Sequence, residues 1–448
     1  MKTDSPSRGG GRLPHGRNWI RALLFLVCGT QASLQAESIL FTGATVHTVS
    51  GPTLYPGQIL VKGASITAVG SAIDQSADRY VDLNGLHVFP GIIAPTTSLG
   101  LTEISAVRST LDTTEVGRLT PDVRSWLAVH ADSELIPVAR ANGITHAVPV
   151  PQGGMVSGMS GLIALSGWTV EEMTVMKPVA LHVFWPSMSL DIRQKNQFTK
   201  PEDFRSLKDQ ARERRKRIRE IHDFFMEASA YVRGRKSANP PSLVPAWEAM
   251  IPWVQGEKPV MIHANDRRQI QSALDWAENQ NFHSILAGAR DAWQLADYIA
   301  ERQIPVIYEH VFTQPARDFD GFDIHFSAPR KLQQAGVQVS FSLGLNAFGT
   351  SNLRNLPYAA AQAVAFGLPE SEALKGLTWY PAQALEVGHL LGSIEVGKEA
   401  TFFAANGNIL DVRTQVKRLW IRGQEIRLED RQTRLYEKYR ARPRPQGK

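Results

Sequence analysis

Hydrophobic and polar residues alternate with a period of two in short runs near both ends of the chain. The runs are ILFTGATVHTV, QILVKGASITAVG and YVDLNGLHVFPG in residues 39–91, then GSIEVGKEATFFAAN and VKRLWIRGQEI in residues 392–426. Such runs, broken by Gly, Pro and Asn, are typical of hairpins in a small antiparallel sheet. Because the two segments share this pattern, we predict one β-sandwich assembled from both chain ends, residues 37–89 and 392–428.

The long middle of the chain, residues 90–391, alternates short apolar runs with helical stretches, which indicates parallel βα units. The expected fold class is therefore α/β, with a (β/α)8 TIM-like barrel beside the β-sandwich. The third of the eight predicted strands has the weakest pattern, and a side hairpin is the alternative there. The predicted strands cover residues 92–96, 144–150, 162–165, 179–183, 260–263, 284–287, 306–308 and 337–341.

The N-terminus has the pattern of a secretory signal peptide. A basic stretch ending at Arg21 precedes the apolar run ALLFLVC, and small and polar residues lead to a cleavage position near Ala36. The single cysteine, Cys28, lies inside this segment, so a mature chain has neither disulfides nor a cysteine nucleophile. We expect export to a periplasm or to the outside, with no membrane attachment after cleavage of residues 1–36. An uncleaved membrane anchor is the alternative.

The positive charge of the chain is unevenly placed. The formal net charge is +6, but the first 36 residues hold five basic residues against one acid, which leaves 44 Lys and Arg against 42 Asp and Glu. A nearly neutral body excludes an electrostatic argument for a nucleic-acid partner. The basic run RERRKRIRE, residues 212–220, lies in a polar helical segment at 200–236. It indicates either an anionic partner or, as we favour, the solvated face of a surface helix. Residues 429–448 form a C-terminal tail whose end is basic and Pro-rich.

Three stretches together resemble the amidohydrolase superfamily of metal-dependent hydrolases. They are HVFPGIIAPTTSLGL at 87–101, VMIHA at 260–264 and LKGLTWYPAQALEVGHLLGSIEVGKEA at 374–400. The segments ELIPVARANGITHAVPVPQGG and SGMSGLIALSGWTVEEM further resemble the exported, imidazolonepropionase-like branch. The resemblance implies a (β/α)8 barrel with a composite sandwich, and hydrolysis of carbon–nitrogen bonds other than peptide bonds.

Most of the metal ligands that this resemblance implies are replaced. The His-x-His pair of the first strand is Thr96 and Ser98, and the supporting aspartate is Ala94. The sixth-strand histidine is Ala287, and Gly344 or a neighbour takes the place of the eighth-strand aspartate. No lysine or glutamate clearly fills the bridging role of the fourth strand. Only the fifth-strand ligand, His263, is recognisable, and we expect it to point into the barrel.

The loss of these ligands has a direct chemical consequence. A catalytic zinc ion usually needs three protein ligands and a water molecule. Without a bound cation, nothing lowers the pKa of that water from about 15.7 toward 7, and nothing polarises the scissile carbonyl. We therefore expect the family's reaction to be absent or strongly altered. The cofactor is zinc or another divalent metal if the protein is active, and otherwise none.

Other residues offer a relocated site. His182, Glu309 and His310 end strand candidates, and with His263 they are the candidate catalytic residues, His263 also being the candidate metal ligand. Asp320, Asp323 and His325 follow in the chain. For His182 and His325, a hydrogen-bonded place in the core is the favoured alternative.

Two functional hypotheses follow. One is an active hydrolase with a mononuclear or relocated metal. The other is a non-enzymatic protein that binds a small molecule at the barrel mouth or stabilises an active relative as an oligomer partner.

A glycine- and serine-rich stretch, QGGMVSGMSG at residues 152–161, follows the second strand candidate. Its backbone N–H groups would suit an anionic or polar ligand group. It matches neither nucleotide-binding spacing, and Ser160 misses the G-x-S-x-G pattern by one residue. The alternative is a turn-rich loop in which the backbone conformation requires glycine.

Overall fold

The structure is a computed structural model that describes residues 37–443. The predicted signal peptide and residues 444–448 lie outside this range. No helix within residues 37–443 is long and apolar enough to cross a bilayer.

Sixteen strands within the described range form two sheets. They are β1 (Ser38–Val46), β2 (Leu54–Lys62), β3 (Ser65–Gly70), β4 (Arg79–Asp82), β5 (His87–Pro90), β6 (Ile92–Thr97), β7 (Ile144–Pro149), β8 (Val156–Ala164), β9 (Thr174–Phe184), β10 (Val260–Ala264), β11 (Ser284–Gly288), β12 (Val306–Tyr308), β13 (Val339–Phe341), β14 (Phe402–Ala405), β15 (Val416–Ile421) and β16 (Gln424–Ile426).

Twelve α-helices lie between and after these strands in the same range. They are α1 (Leu135–Arg140), α2 (Val170–Met173), α3 (Leu207–Arg235), α4 (Pro245–Val254), α5 (Arg267–Asn279), α6 (Ala296–Glu301), α7 (Ile324–Gln334), α8 (Ala347–Ser351), α9 (Leu356–Ala365), α10 (Glu370–Leu377), α11 (Trp379–Ala384) and α12 (Arg431–Arg440). The last helix lies inside the predicted tail.

The first sheet contains strands from both chain ends, in the order β16-β15-β14-β5-β1-β2-β3, with β4 also paired to β1. It is one branched sheet, and β4 and β5 run parallel to β1, so the expectation of a purely antiparallel sheet is wrong. The branch follows from Gly43, whose φ of 78° interrupts β1 and sends its two halves to different partners. Phe41 packs edge-on against Phe402 and Trp420, with ring centroids 5.1 and 5.0 Å apart.

The second sheet is the barrel, in the order β13-β12-β11-β10-β9-β8-β7-β6. The eight-strand barrel is confirmed, but β8 runs antiparallel to both β7 and β9. The reason is the length of the connection, since only residues 150–155 join β7 to β8, and a parallel crossover needs a dozen or more residues. The β7–β8–β9 segment is therefore a meander inserted among parallel βα units.

Side-chain alternation along the strands decides what lines the barrel. Ile93, Met261, Ile285 and Ile307 pack together in one buried cluster inside it. Residues two positions further along each strand point to the same side and lie nearer the carboxyl ends of the parallel strands. His263, Ala287 and Glu309 are such residues, so the barrel mouth is the layer that holds the chemistry predicted from sequence.

The glycine-rich stretch is mostly strand β8, and its glycines admit a neighbouring segment. Residues 114–124 run beside it through three isolated bridges. A Cβ atom on Gly154 would lie 2.7 Å from the carbonyl oxygen of Arg118, and one on Gly158 would lie 2.7 Å from that of Val123. The close approach of the neighbouring backbone therefore explains the glycines of this stretch, and no bound anion is needed to account for them.

Candidate functional site

A hydrogen-bonded chain crosses the barrel mouth between its first, seventh and eighth strands. Thr96 Oγ1 donates to Oε1 of Glu309 at 2.6 Å, and its oxygen lies 2.7 Å from Ser342 Oγ. The Ser342 hydroxyl oxygen accepts from the backbone N–H of Gly344 at 3.0 Å. Hydrogen bonds in series polarise one another, so the chain strengthens the donor that reaches Glu309.

Glu309 is bound on one side only. Its second oxygen, Oε2, accepts no hydrogen bond from a side chain or backbone group of residues 37–443. Burial raises the pKa of Glu309 to about 7, and the hydrogen bond from Thr96 opposes that rise. A carboxyl group with a pKa near 7 and one unused oxygen can accept a proton or donate one at neutral pH.

A second chain of hydrogen bonds joins the middle strands of the barrel. Nδ1 of His182 lies 3.0 Å from Nε2 of His263, and Nε2 of His182 lies 2.7 Å from Ser160 Oγ. The ring of Phe184 stacks on His263 at 4.1 Å between centroids. Ser160 and His182 are fully buried, and His263 is 7% exposed, so only the outer end of this chain meets the mouth.

Both histidines of this hydrogen-bonded chain, His182 and His263, are held neutral. Burial lowers the pKa of His182 well below its usual value, and the neighbouring His263 adds to that effect. Burial also lowers the pKa of His263 to about 3. Ser160 cannot serve as a nucleophile, because it lies at the closed end of the chain with no exposed surface.

The other first-strand position, Ser98, is tied to the loop after the eighth strand. Its hydroxyl donates to the carbonyl oxygen of Leu345 at 2.6 Å and accepts from Nε2 of Gln152 at 2.9 Å. Gln152 is the first residue of the glycine-rich stretch. Its side chain, rather than a backbone nest, is therefore what this stretch brings to the mouth.

The remaining predicted residues do not join either of these hydrogen-bonded chains. His310 Nε2 is 2.7 Å from Oδ1 of Asn265, and burial lowers the pKa of His310 to about 3. His325 is buried and its Nδ1 lies 2.9 Å from the hydroxyl of Tyr308, the core position that the sequence favoured. Asp320 pairs with Arg317 at 3.3 Å, and Asp323 precedes α7.

The residues of the mouth do not fit the divalent metal that the family resemblance implies. The Thr96 and Ser98 hydroxyls direct their protons to Glu309 and Leu345, and Nε2 of His263 is engaged with His182. Ala287 has no donor atom. In the part of the chain that the structure describes, no group of three or more His, Cys, Asp or Glu residues is placed to hold a metal ion. The proposed relocated set therefore forms no such group.

Sequence reasoning missed two members of the mouth, Ser342 and Gln152. The sequence predicts Gly344 or a neighbour at the eighth-strand position, and the neighbour that faces the mouth is Ser342. Alternation was the available signal, because Phe341 faces the helices and is fully buried against Gly376. Gln152 carried no signal in the sequence, because its position depends on the antiparallel turn of β8.

Solved structures with the same fold cover nearly all of the described chain. An amidohydrolase from Thermotoga maritima MSB8 is 25% identical, with a TM-score of 0.75 over 87% of this chain and 99% of that one. A molinate hydrolase is 14% identical, with a TM-score of 0.52 over 92% and 99% of the two chains. A prolidase in complex with N-methylphosphonate-L-proline is also 14% identical, with a TM-score of 0.51 over 87% and 99%. These last two similarities show the fold alone.

Sequence comparison gives the family. A search among curated proteins returns no significant match. The family model described as "Amidohydrolase family" matches residues 170–426, which is more than half of the chain and includes β9 to β16. The match spans His182, His263 and Glu309, and it also takes in the C-terminal strands of the first sheet. With the barrel, the composite sheet and this match in place, the chain belongs to the amidohydrolase family.

Proposed function

We propose that this member of a hydrolase family uses its barrel mouth to bind a small polar ligand, without a resident divalent metal. One observation carries the proposal: the side chains at the first-strand ligand positions, Thr96 and Ser98, form hydrogen bonds within the protein. A metal ion at this place would have to break those bonds. It would gain only neutral hydroxyl oxygens, which are weaker ligands than imidazole or carboxylate.

The groups at the mouth define the ligand chemistry. Oε2 of Glu309 accepts a hydrogen bond when ionised and donates one when protonated. The neutral His263 and the Phe184 ring that stacks on it supply a flat, weakly polar wall. This combination suits a small uncharged amide, lactam or alcohol better than a carboxylate, because an anion would face Glu309.

Metal content tests the proposal directly. Protein purified without chelator, then incubated with excess zinc and desalted, is analysed for metal. We expect less than about 0.1 equivalent of bound zinc and an unchanged melting temperature. A matched variant, T96H/S98H/A287H, restores imidazole at three positions beside His263 and serves as the positive control. One equivalent of tightly bound zinc in the wild-type chain, lost in H263A, would overturn the proposal.

The alternative, an active hydrolase with a mononuclear metal at His263, has less support because Nε2 of that ring already pairs with His182. It makes a different prediction. Zinc-dependent turnover of amide or lactam substrates that disappears in H263A would establish it.

We also propose export, on the sequence of residues 1–36, and membership of the imidazolonepropionase-like branch, on residues 134–154 and 157–173. N-terminal sequencing of protein recovered from a periplasmic or culture fraction tests export, with Glu37 expected as the first residue.

A partnership with an active relative is a further proposal. Recovery of such a relative at fixed stoichiometry with the untagged chain would support it, and a monomer in native mass spectrometry would refute it.

A further inference from the structure

A groove of about 670 Å³ lies beside the barrel mouth, between the β9–α3 connection and the first turns of α3. It begins at Pro186, two residues after β9 ends at Phe184. We call it the arginine groove, because its charged lining consists of four arginines and two acids: Arg205, Arg212, Arg214, Arg217, Asp209 and Glu213. Its volume lies within the range of about 300–1,000 Å³ that is usual for small-molecule sites.

The charges of the groove do not balance. Asp209 pairs with Arg212 at 3.0 Å, and Glu213 pairs with Arg217 at 3.2 Å. Arg205 and Arg214 have no carboxylate within 4.0 Å among the described residues. Two positive charges therefore remain unshared on one wall of a concave surface, where the field of like charges is concentrated.

Backbone contacts hold these two guanidinium groups in place. Nη1 of Arg214 donates to the carbonyl oxygen of Met188 at 2.7 Å, and Nη1 of Arg205 donates to that of Phe204 at 3.0 Å. The connection itself is held to α3 by Gln210, which accepts from the N–H of Asp191 and donates to its carbonyl oxygen. Each arginine keeps most of its five N–H donors for another acceptor.

We propose that the arginine groove binds the oxyanion group of a multiply charged ligand, a phosphate or a polycarboxylate. Guanidinium forks match the oxygen spacing of both groups and bind them bidentately. The neutral carbonyl contacts order the two arginines without cancelling their charge. Within the basic run RERRKRIRE, the functional interpretation thus applies to Arg214, because Arg212 and Arg217 are paired with acids. This site does not depend on the proposed function of the mouth.

Binding of inorganic phosphate and of citrate to the purified chain tests the proposal by isothermal titration calorimetry at constant ionic strength. We expect saturable binding of at least one of the two, and the preferred anion tells phosphate from polycarboxylate recognition. The variant R205A/R214A should weaken that binding at least tenfold.

The matched control is R215A/R219A, which removes two exposed charges from α3 outside the groove. It should change the affinity by less than twofold. Equal weakening in the two double variants would indicate only the general charge of the helix and would overturn the proposal. Absence of saturable binding to the wild-type chain for both anions would overturn it as well. Circular dichroism and melting temperature verify that each variant is folded.

Discussion

The hydroxyl of Thr96 donates a hydrogen bond of 2.6 Å to Oε1 of Glu309, which joins the first strand of the barrel to the end of the seventh. Thr96 stands where the family resemblance implies a metal-binding histidine. The carboxyl group at this mouth therefore accepts a hydrogen bond from the hydroxyl at that position. Because burial without a countercharge disfavours the ionised form, Glu309 has a pKa of about 7.

The raised pKa of Glu309 predicts that this carboxyl group contributes less to the stability of the protein as pH rises. The folded state keeps the proton up to about pH 7, whereas the unfolded carboxyl group releases it near pH 4.5. Between these values the unfolded state binds fewer protons at this group, so the contribution of Glu309 to the free energy of unfolding falls, by no more than about 3 kcal/mol, and then levels off. Urea unfolding of wild type and E309Q from pH 4.5 to 8 measures it. Parallel curves for the two proteins would contradict the prediction.

Replacing Thr96 with valine should move the pKa of Glu309 above 7, because the lost hydrogen bond favours the ionised form. We expect T96V to cost about 1–3 kcal/mol at pH 8, where Glu309 is ionised, and less at pH 5. Carbon-13 NMR of the labelled Glu309 carboxyl gives the pKa, and denaturation gives the stability. The T96S variant keeps the hydroxyl and should titrate as wild type does. A valine variant with an unchanged carboxyl titration would rule this account out.

The histidine pair predicts a loss of stability in acid. The pKa of His263 is lowered to about 3 and that of His182 lies well below normal, so the unfolded state takes up protons that the folded state refuses. The contribution of the two histidines to stability is therefore complete above about pH 6.5, and below it falls by about 1.4 kcal/mol per pH unit for each histidine. His47, His146 and His310 add to the same slope because their pKa values are also lowered. Comparing the free energy of unfolding of wild type and H263Q between pH 5 and 7.5 isolates the contribution of His263. An identical slope in both proteins would count against this interpretation.

The close approach at Gly158 predicts a severe effect of a single methyl group. Its φ is 117°, and a Cβ atom would lie 2.7 Å from the carbonyl oxygen of Val123. We expect G158A to cost about 2–4 kcal/mol, the sum of backbone strain and overpacking. Gly85 has a φ of 74° with nothing within 4 Å of a Cβ atom, so G85A measures the strain alone, about 1–2 kcal/mol. Similar losses in the two variants would show that residue 123 yields to the methyl group.

Burial of Trp420 predicts that the composite sheet contributes to the stability of the whole protein. Trp420 is fully buried and packs against Phe41 from the other end of the sequence. We expect W420A to lower the free energy of unfolding by about 3–5 kcal/mol. Trp168 is 91% exposed, and W168A should leave stability within about 0.5 kcal/mol of wild type. A mild effect of W420A would mean that the sheet folds independently of these contacts.

The period of hydrophobic residues and the composition of each segment alone predict most of the strands and the long helix of this protein. Alternation predicts the strands at both ends, apolar runs predict the barrel strands, and the polar segment at residues 200–236 is predicted to be helical, where the structure has α3. The family resemblance also implies, from local motifs, that Thr96, Ser98 and Ala287 stand at metal-ligand positions. Each of these signals is local, because it depends only on residues close to one another in the sequence.

The tertiary structure decided the rest, because the decisive contacts join residues distant in sequence. Glu309 acquires its role from Thr96, and His182 from His263 and Ser160, across strands whose pairing no local pattern encodes. The antiparallel course of β8 turns Gln152 toward Ser98, and a carbonyl oxygen at Met188 holds Arg214 at the groove. Burial and hydrogen bonding set the charge of each group, and both depend on which distant segments the folded chain brings together.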